Sequence, residues 1–280
     1  MAYTALMVDI IKSRKYAQGD RQKLQDFCLK AIDFLNGVFA GALVKSVEFS
    51  AGDEMQGLFT QADAAFLYLR LLRMLLRDKK THAGIGHGDW TVRVNGRGTS
   101  FQDGPVYYHA REALDVCKKA KDYSVVVCTD AGVDGILSAM LNSLFSLNER
   151  LTPYQNDLKL LLEILWPVGD EWSFKENHLH GLLDLLDCKY LLTMYHNVGS
   201  QRVFNRIKED GVMALSERKR KDNDTLTAGH PYRAVAALAE VTGLKRQSIE
   251  QGLKKSNVFV ERNTAFAVAA FLRKELKGEG

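Results

Sequence analysis

Hydrophobic and polar positions follow two rhythms along this chain, and the change between them divides it. Up to about residue 130, short apolar runs with strand character alternate with longer stretches repeating every three to four residues. Residues 3–9, YTALMVD, form a short apolar run ending in an acid and predict a buried strand. Asp20 is placed to cap a helix over about 21–37, with Leu24, Phe27, Ala31, Phe34 and Leu35 on its inner side and Gly37 and Gly41 closing it. Residues 42–50, ALVKSVEFS, predict a strand; AGDE reads as a turn and MQGLF as the returning strand, so this is a hairpin. A helix is expected over 61–77 and a glycine-laced strand over 81–92. A further helix should begin near Pro105, where proline suits a first turn, and a last strand should cover 124–129.

That order is βαββαβ followed by one more helix and strand. It predicts an α+β fold of ferredoxin-like type over residues 1–135. Residues 136–280 carry helical periodicity and almost no strand pattern, predicting an all-helical second domain.

The second domain holds two segments of similar design. In 231–255, PYRAVAALAEVTGLKRQSIEQGLKK, a helix ends at Gly243 and a second follows with Ile249 and Leu253 inward. Lys245, Arg246, Gln247 and Ser248 stand at the start of that second helix, where helix-turn-helix folds reach base edges, and Lys254 and Lys255 suit phosphates. In 186–208, LDCKYLLTMYHNVGSQRVFNRIK, a helix, a turn at HNVG and a second helix would present Ser200, Gln201, Arg202, Arg206 and Lys208. Such pairs are also common packing units, and docking of a protein partner is the alternative use.

Charge supports an anionic partner for this part. The net charge of +4 is uneven: residues 201–280 hold 16 Lys and Arg against 10 Asp and Glu, so the basic excess lies there. Cys28, Cys117, Cys128 and Cys188 form no CxxC pair, which argues against a zinc or redox motif and for buried thiols in a reducing compartment. The start MAYTALMVDI lacks a basic leader, and the longest apolar run, AAFLYLRLLRMLL, is interrupted by Arg70 and Arg73. A cytoplasmic protein with no membrane partner is expected.

The candidate chemistry lies in EFSAGDEMQGLF, residues 48–59. In the βαββαβ plan the first strand and the hairpin are neighbours, so Asp9 at a strand end and Asp53 at the hairpin turn approach one another. Two carboxylates, a backbone carbonyl and phosphate oxygens make a suitable shell for Mg²⁺ or Mn²⁺. Gly52 and Gly57 would let the backbone approach a triphosphate. The plain alternatives are a strand-end acid and an ordinary turn.

Four segments in the same order carry a resemblance. MVDIIKSR is similar to the first-strand motif of class III nucleotidyl cyclases. SAGDEMQGLF resembles their hairpin and that of GGDEF proteins, HAGIGHGDWTV their Gly-Ile-Gly strand, and DGPVYYHAREAL their strand-to-helix segment. Together they most resemble the SatD family, a cyclase-type palm followed by a helix-turn-helix region. The resemblance implies metal ligands at Asp9 and Asp53 and nucleotide contacts at Ile10, Gly52, Glu54 and Arg111. Arg111 takes the place of a phosphate-contacting catalytic arginine. It also implies a recognition helix near 200–208. Tyr107 stands where the cyclases carry an asparagine, and their base-reading lysine has no counterpart, so binding is better supported than turnover. His87 and His109 are candidates to line the site.

The implied function is a nucleotide- and Mg-binding regulator that binds double-stranded DNA and can act as a homodimer. The alternatives are an active cyclase or related nucleotidyltransferase, and an inactive adaptor.

Overall fold

The protein is described from a computed structural model covering residues 2–77, 79–120, 122–149, 151–169, 176–191 and 231–276. Five strands form one sheet: β1 (Ala2–Ile10), β2 (Leu43–Ala51), β3 (Glu54–Phe59), β4 (Thr81–Asp89) and β5 (Val125–Cys128). Between them lie α1 (Gln18–Val38), α2 (Ala62–Leu76) and α3 (Pro105–Lys119). After β5 come α4 (Asp134–Ser146), α5 (Pro153–Leu165) and α6 (Glu176–Leu191), then α7 (Pro231–Thr242), α8 (Arg246–Lys255) and α9 (Val258–Glu275). The fold is mixed α+β. The described residues beyond β5 are helical wherever they are regular.

The spatial order of the sheet is β2-β3-β1-β4-β5. β1 is antiparallel to β3 and β4, and β5 joins β4 in parallel. Side chains alternate between the faces of a strand. On one face Ala5, Met7 and Leu58 pack under Val106, Tyr107, Ala110 and Leu114 of α3. On the other, Phe59 meets the ring of Tyr68 from α2, which also meets Phe39. Almost all of α2 is buried, Asp63 and Arg70 included. Each fully buried leucine there contributes about 1.5–3 kcal/mol.

Two glycines decide how closely α3 lies on the sheet. A Cβ at Gly84 would strike the carbonyl oxygen of Ala110, and one at Gly86 would strike its backbone nitrogen. The Gly-Ile-Gly strand therefore serves close helix–sheet packing, which lowers α3 onto β4. Gly57 has a similar local reason, since a Cβ there would run into Val47 of β2. Beyond α3, Asn142 of α4 seals the edge of β5: its side-chain oxygen accepts from the backbone of Ser124 and Val125, and its amide donates to the carbonyl of Val125.

Some boundaries differ from expectation. α1 starts at Gln18 with Ala17 as its N-cap, so Asp20 lies inside the first turn, where it complements the helix dipole without capping. Gly37 lies within α1, which runs on to Val38.

The chain divides into two compact units, Met1–Ser143 with Ala267–Gly280, and Leu144–Phe266. Within the second, α5 carries two buried ion pairs to residues of α9. Lys159 meets Glu261 at 2.7 Å, and Glu163 meets Arg262; all four side chains are at most 1% exposed. Arg262 also donates to the carbonyl of Trp166, and Lys159 to the side chain of Asn148. α5 begins with a capping box in which Thr152 and Gln155 satisfy one another's backbone N–H groups. α7 and α8 are separated by residues 243–245, and Gly243 takes the left-handed φ of 64° that this turn requires. Ile249 and Leu253 are buried as the periodicity predicts, while Lys245, Arg246, Gln247, Ser248, Lys254 and Lys255 are exposed. No helix among the described residues is long and apolar enough to cross a membrane.

Candidate functional site

Strand register brings two carboxylates together. Asp9, next to last in β1, pairs directly with Glu54, the first residue of β3. On its other side Asp9 pairs with His82 of β4. Directly opposed residues share a face, with Cβ atoms about 5 Å apart. Asp9, Glu54 and His82 thus form a row across the end of the sheet, on the face that α3 covers.

α3 brings two cations to that row. Arg111 and Lys118 are seven residues apart, which is two helical turns and the same helix side. The Arg111 guanidinium donates through both terminal nitrogens to Glu54, at 2.6 and 2.5 Å, the bidentate form that fixes a carboxylate most firmly. The Lys118 ammonium lies 3.3 Å from Asp9 Oδ1 and 3.6 Å from Glu54 Oε2. The hydroxyl of Ser50, at the end of β2, donates to Glu54 Oε1 at 3.2 Å.

The site has a buried side and an open side. Glu54's side chain is 9% exposed, whereas that of Arg111 is 44% and that of Lys118 is 35% exposed. Burial alone would raise the Glu54 carboxyl. The Arg111 hydrogen bonds and charge, with Lys118 and Ser50, outweigh it and hold Glu54 below its ordinary value. Asp9 goes the other way: burial and the neighbouring charges of Asp53 and Glu54 raise it, against the opposing pull of Lys118. His82 is held below its ordinary value, first by burial and then by the charges of Lys118 and Arg73, although Asp9 pulls it upward.

The expected residues are distributed as follows. Asp9 pairs with Glu54, Glu54 binds Arg111 directly, and Ile10 follows Asp9 as the last residue of β1. Asp53 occupies the β2–β3 turn, just outside the last paired residues, and its charge bears on Asp9. Gly52 precedes it at φ 64°, and its carbonyl accepts from Gln25 of α1. His87 and His109 lie elsewhere: His87 contacts Thr4 near the start of β1, and His109 bonds the carbonyl of His87 and approaches Asp130. Tyr107 belongs to the core under α3, its hydroxyl buried without a hydrogen-bond partner, so it offers the site nothing like the amide it replaces. Burial raises its pKa far above the ordinary tyrosine value.

Sequence reasoning missed Lys118, His82 and Ser50. Lys118 had a usable signal, the seven-residue step from Arg111. His82 had none, because only the β1–β4 register sets it beside Asp9.

In the second unit, Lys245, Arg246, Gln247 and Ser248 stand exposed at the start of α8. Ser200, Gln201, Arg202, Arg206 and Lys208 lie outside the described residues.

Comparison with known proteins gives a family. No curated protein matches the sequence. Among solved structures, an adenylyl cyclase, CyaB from P. aeruginosa, is similar at 16% identity over 40% of this chain and 70% of that one, with a TM-score of 0.29, too slight a likeness to argue from. The model of the SatD family matches residues 3–186, well over half of the sequence, and the chain belongs to that family.

Proposed function

We propose that the first unit is a nucleotide-binding palm of ferredoxin-like plan, which takes a nucleoside triphosphate at the Asp9–Glu54–Arg111–Lys118 cluster. The carrying observation is that cluster itself: two half-exposed cations aimed across the sheet end at two carboxylates. Arginine and lysine with open faces are the side chains that bind phosphate oxygens.

The acids suit a metal only in company with phosphates. Among the described residues no group of three or more histidine, cysteine or acidic side chains is placed to hold an ion alone. Glu54 is committed to Arg111. Asp9 and Asp53 remain, and Mg²⁺ commonly uses one or two carboxylates with substrate phosphates completing its shell. These two would hold Mg²⁺ or Mn²⁺, and the ion, when bound, would supply charge neutralisation to the phosphates. Arg111 would orient the phosphate chain through its open face while Glu54 holds its guanidinium still. Lys118 would supply a second, movable charge.

Binding is favoured over turnover because the hydroxyl of Tyr107 is buried in the core. The whole chain is then a nucleotide-responsive regulator. A second observation favours duplex DNA as its output partner. α8 and its N-cap expose Lys245, Arg246, Lys254 and Lys255 around a single acid, Glu250, with Gln247 and Ser248 available to base edges.

Thermal melts with each NTP, with and without Mn²⁺, test the palm. A nucleotide at 100 times its dissociation constant adds about 2.7 kcal/mol. A metal-dependent shift in the wild type that is absent in Asp53→Asn and Arg111→Ala is expected; no shift with any nucleotide overturns the reading and leaves the adaptor alternative, and product formation would restore the enzyme alternative. Anisotropy with a labelled duplex at several salt concentrations tests the output. Replacing the N-cap Lys245 and the three basic residues of α8 with alanine should flatten the salt slope by about four phosphates' worth, and an unchanged slope rejects this helix as the contact.

A further inference from the structure

Arg111 and Lys118 answer to the same acids in different ways. Arg111 is fixed by two short, parallel hydrogen bonds to a carboxylate that is itself buried. Lys118 makes two longer, point-charge contacts, one to each acid. It lies in the last turn of α3, next to Lys119, on a flexible four-carbon stem. Turning a lysine away at a helix end costs little, because exposed ion pairs are worth about 0–1 kcal/mol.

Asp9 is the acid for which Lys118 and a divalent cation would compete. An ammonium 3.3 Å from Asp9 Oδ1 already neutralises that carboxylate, and its charge repels a second cation approaching the same oxygens. Phosphate changes the balance, because it offers Lys118 a stronger partner and leaves Asp9 free.

We infer that Lys118 is a built-in counter-ion that excludes free divalent metal from Asp9 until a phosphate group draws it away. The inference rests on the nucleotide reading of the site for its second half only. The first half, exclusion of free metal, follows from the ion pair alone. Lys118 is therefore a positioning and specificity residue that makes metal entry conditional on nucleotide. Coupling of this kind is reciprocal: nucleotide raises metal affinity by the factor by which metal raises nucleotide affinity.

The test uses Mn²⁺ alone on the full chain, with free Mn²⁺ followed by electron paramagnetic resonance and folding checked by circular dichroism. Lys118→Met should bind Mn²⁺ on the order of tenfold more tightly than the wild type, as expected for removing one close positive charge. Lys118→Gln should do the same, which separates charge from packing. Lys118→Arg should stay near the wild type, and adding Asp9→Asn to Lys118→Met should abolish the gain. Equal Mn²⁺ affinity in wild type, Lys118→Met and Lys118→Gln overturns the inference, whether that affinity is weak or strong. A parallel titration with ATP keeps the two readings apart. Mn²⁺ gain in Lys118→Met without nucleotide uptake by the wild type upholds the metal exclusion and rejects the nucleotide palm. Nucleotide uptake without any gain does the reverse.

Discussion

Among the described residues, two clusters of paired charges differ mainly in their access to water. In the first unit Glu54 is nearly buried, but its partners Arg111 and Lys118 are 44% and 35% exposed. In the second, Lys159, Glu261, Glu163 and Arg262 are at most 1% exposed. A pair closed to water has no ligand to meet, and its geometry serves the packing of α5 and α9. A cluster whose cations face solvent over a buried acid is held in place yet open to exchange. Between these two clusters, the exposure of the cations, more than the presence of charge, sets apart the one a ligand could reach.

The strongest way to break this comparison is to strand a charge in the second unit. Arg262→Met takes the ion pair from the buried Glu163 carboxylate and should cost about 3–5 kcal/mol, and Lys159→Met should act similarly through Glu261. Replacing both members of a pair by apolar residues, as in Glu163→Leu with Arg262→Met, should recover much of the loss, since desolvating two charges offsets most of their attraction. Guanidinium unfolding of the full chain measures both. A cost under 1 kcal/mol for Arg262→Met would show that this pair is not sealed from water.

Next in size is the seating of α3. Gly86→Ala drives a methyl group into the backbone of Ala110, so helix or strand must move. Overpacking of this kind costs about 1–3 kcal/mol. Because Arg111 and Lys118 ride on α3, the nucleotide-dependent thermal shift should fall with stability. A full shift in Gly86→Ala would mean that the cluster tolerates a displaced helix.

Much of this was legible in the sequence, for identifiable reasons. The succession of strands and helices followed from period and punctuation: a strand ended by an acid, a hairpin around Gly52–Asp53, a helix opened by Pro105. Asp9, Glu54 and Arg111 could be named because they sit in compact motifs. The identity of Asp9's partner could not, since it depends on register. The hairpin turn carries Asp53 past the last paired residues and sets Glu54 opposite Asp9. His82 was hidden for the same reason. The glycines of HAGIGHG signalled close approach, and what approaches, the backbone of α3, emerges only from tertiary packing. The buried pairs of the second unit were illegible, because Lys159 and Glu163 look like solvent-facing residues on an amphipathic helix, and their partners lie about a hundred residues away.

A smaller effect is expected where the open cluster is cut. Arg111→Met removes a half-exposed partner while Lys118 and Ser50 remain beside Glu54, so the loss should be about 1 kcal/mol. The nucleotide-dependent shift should nevertheless disappear. The contrast with Arg262→Met is the point: a large stability change without a ligand effect in one unit, and a small change with complete loss of ligand response in the other. Equal stability costs for the two arginines would remove the distinction.

The smallest effect separates the two acids within the cluster. Glu54 is held below its ordinary value of 4.5, so its contribution to stability is present above that pH and is lost as pH falls through the lowered value. Asp9 is held above its ordinary value of 3.8, so its contribution is present below that pH and is lost as pH rises through the raised value. Neighbours on adjacent strands therefore have opposite slopes. Glu54→Gln should lower the melting temperature at pH 7, with its deficit shrinking below pH 4.5. Asp9→Asn should leave the melting temperature at pH 7 unchanged or slightly higher, because the ionised Asp9 carboxylate is a cost to the fold at neutral pH. A lower melting temperature for Asp9→Asn at pH 7 would show that the Lys118 ion pair outweighs burial. The acid retained at a cost to stability is then the one whose charge the fold does not need, which is what a ligand-binding carboxylate should be.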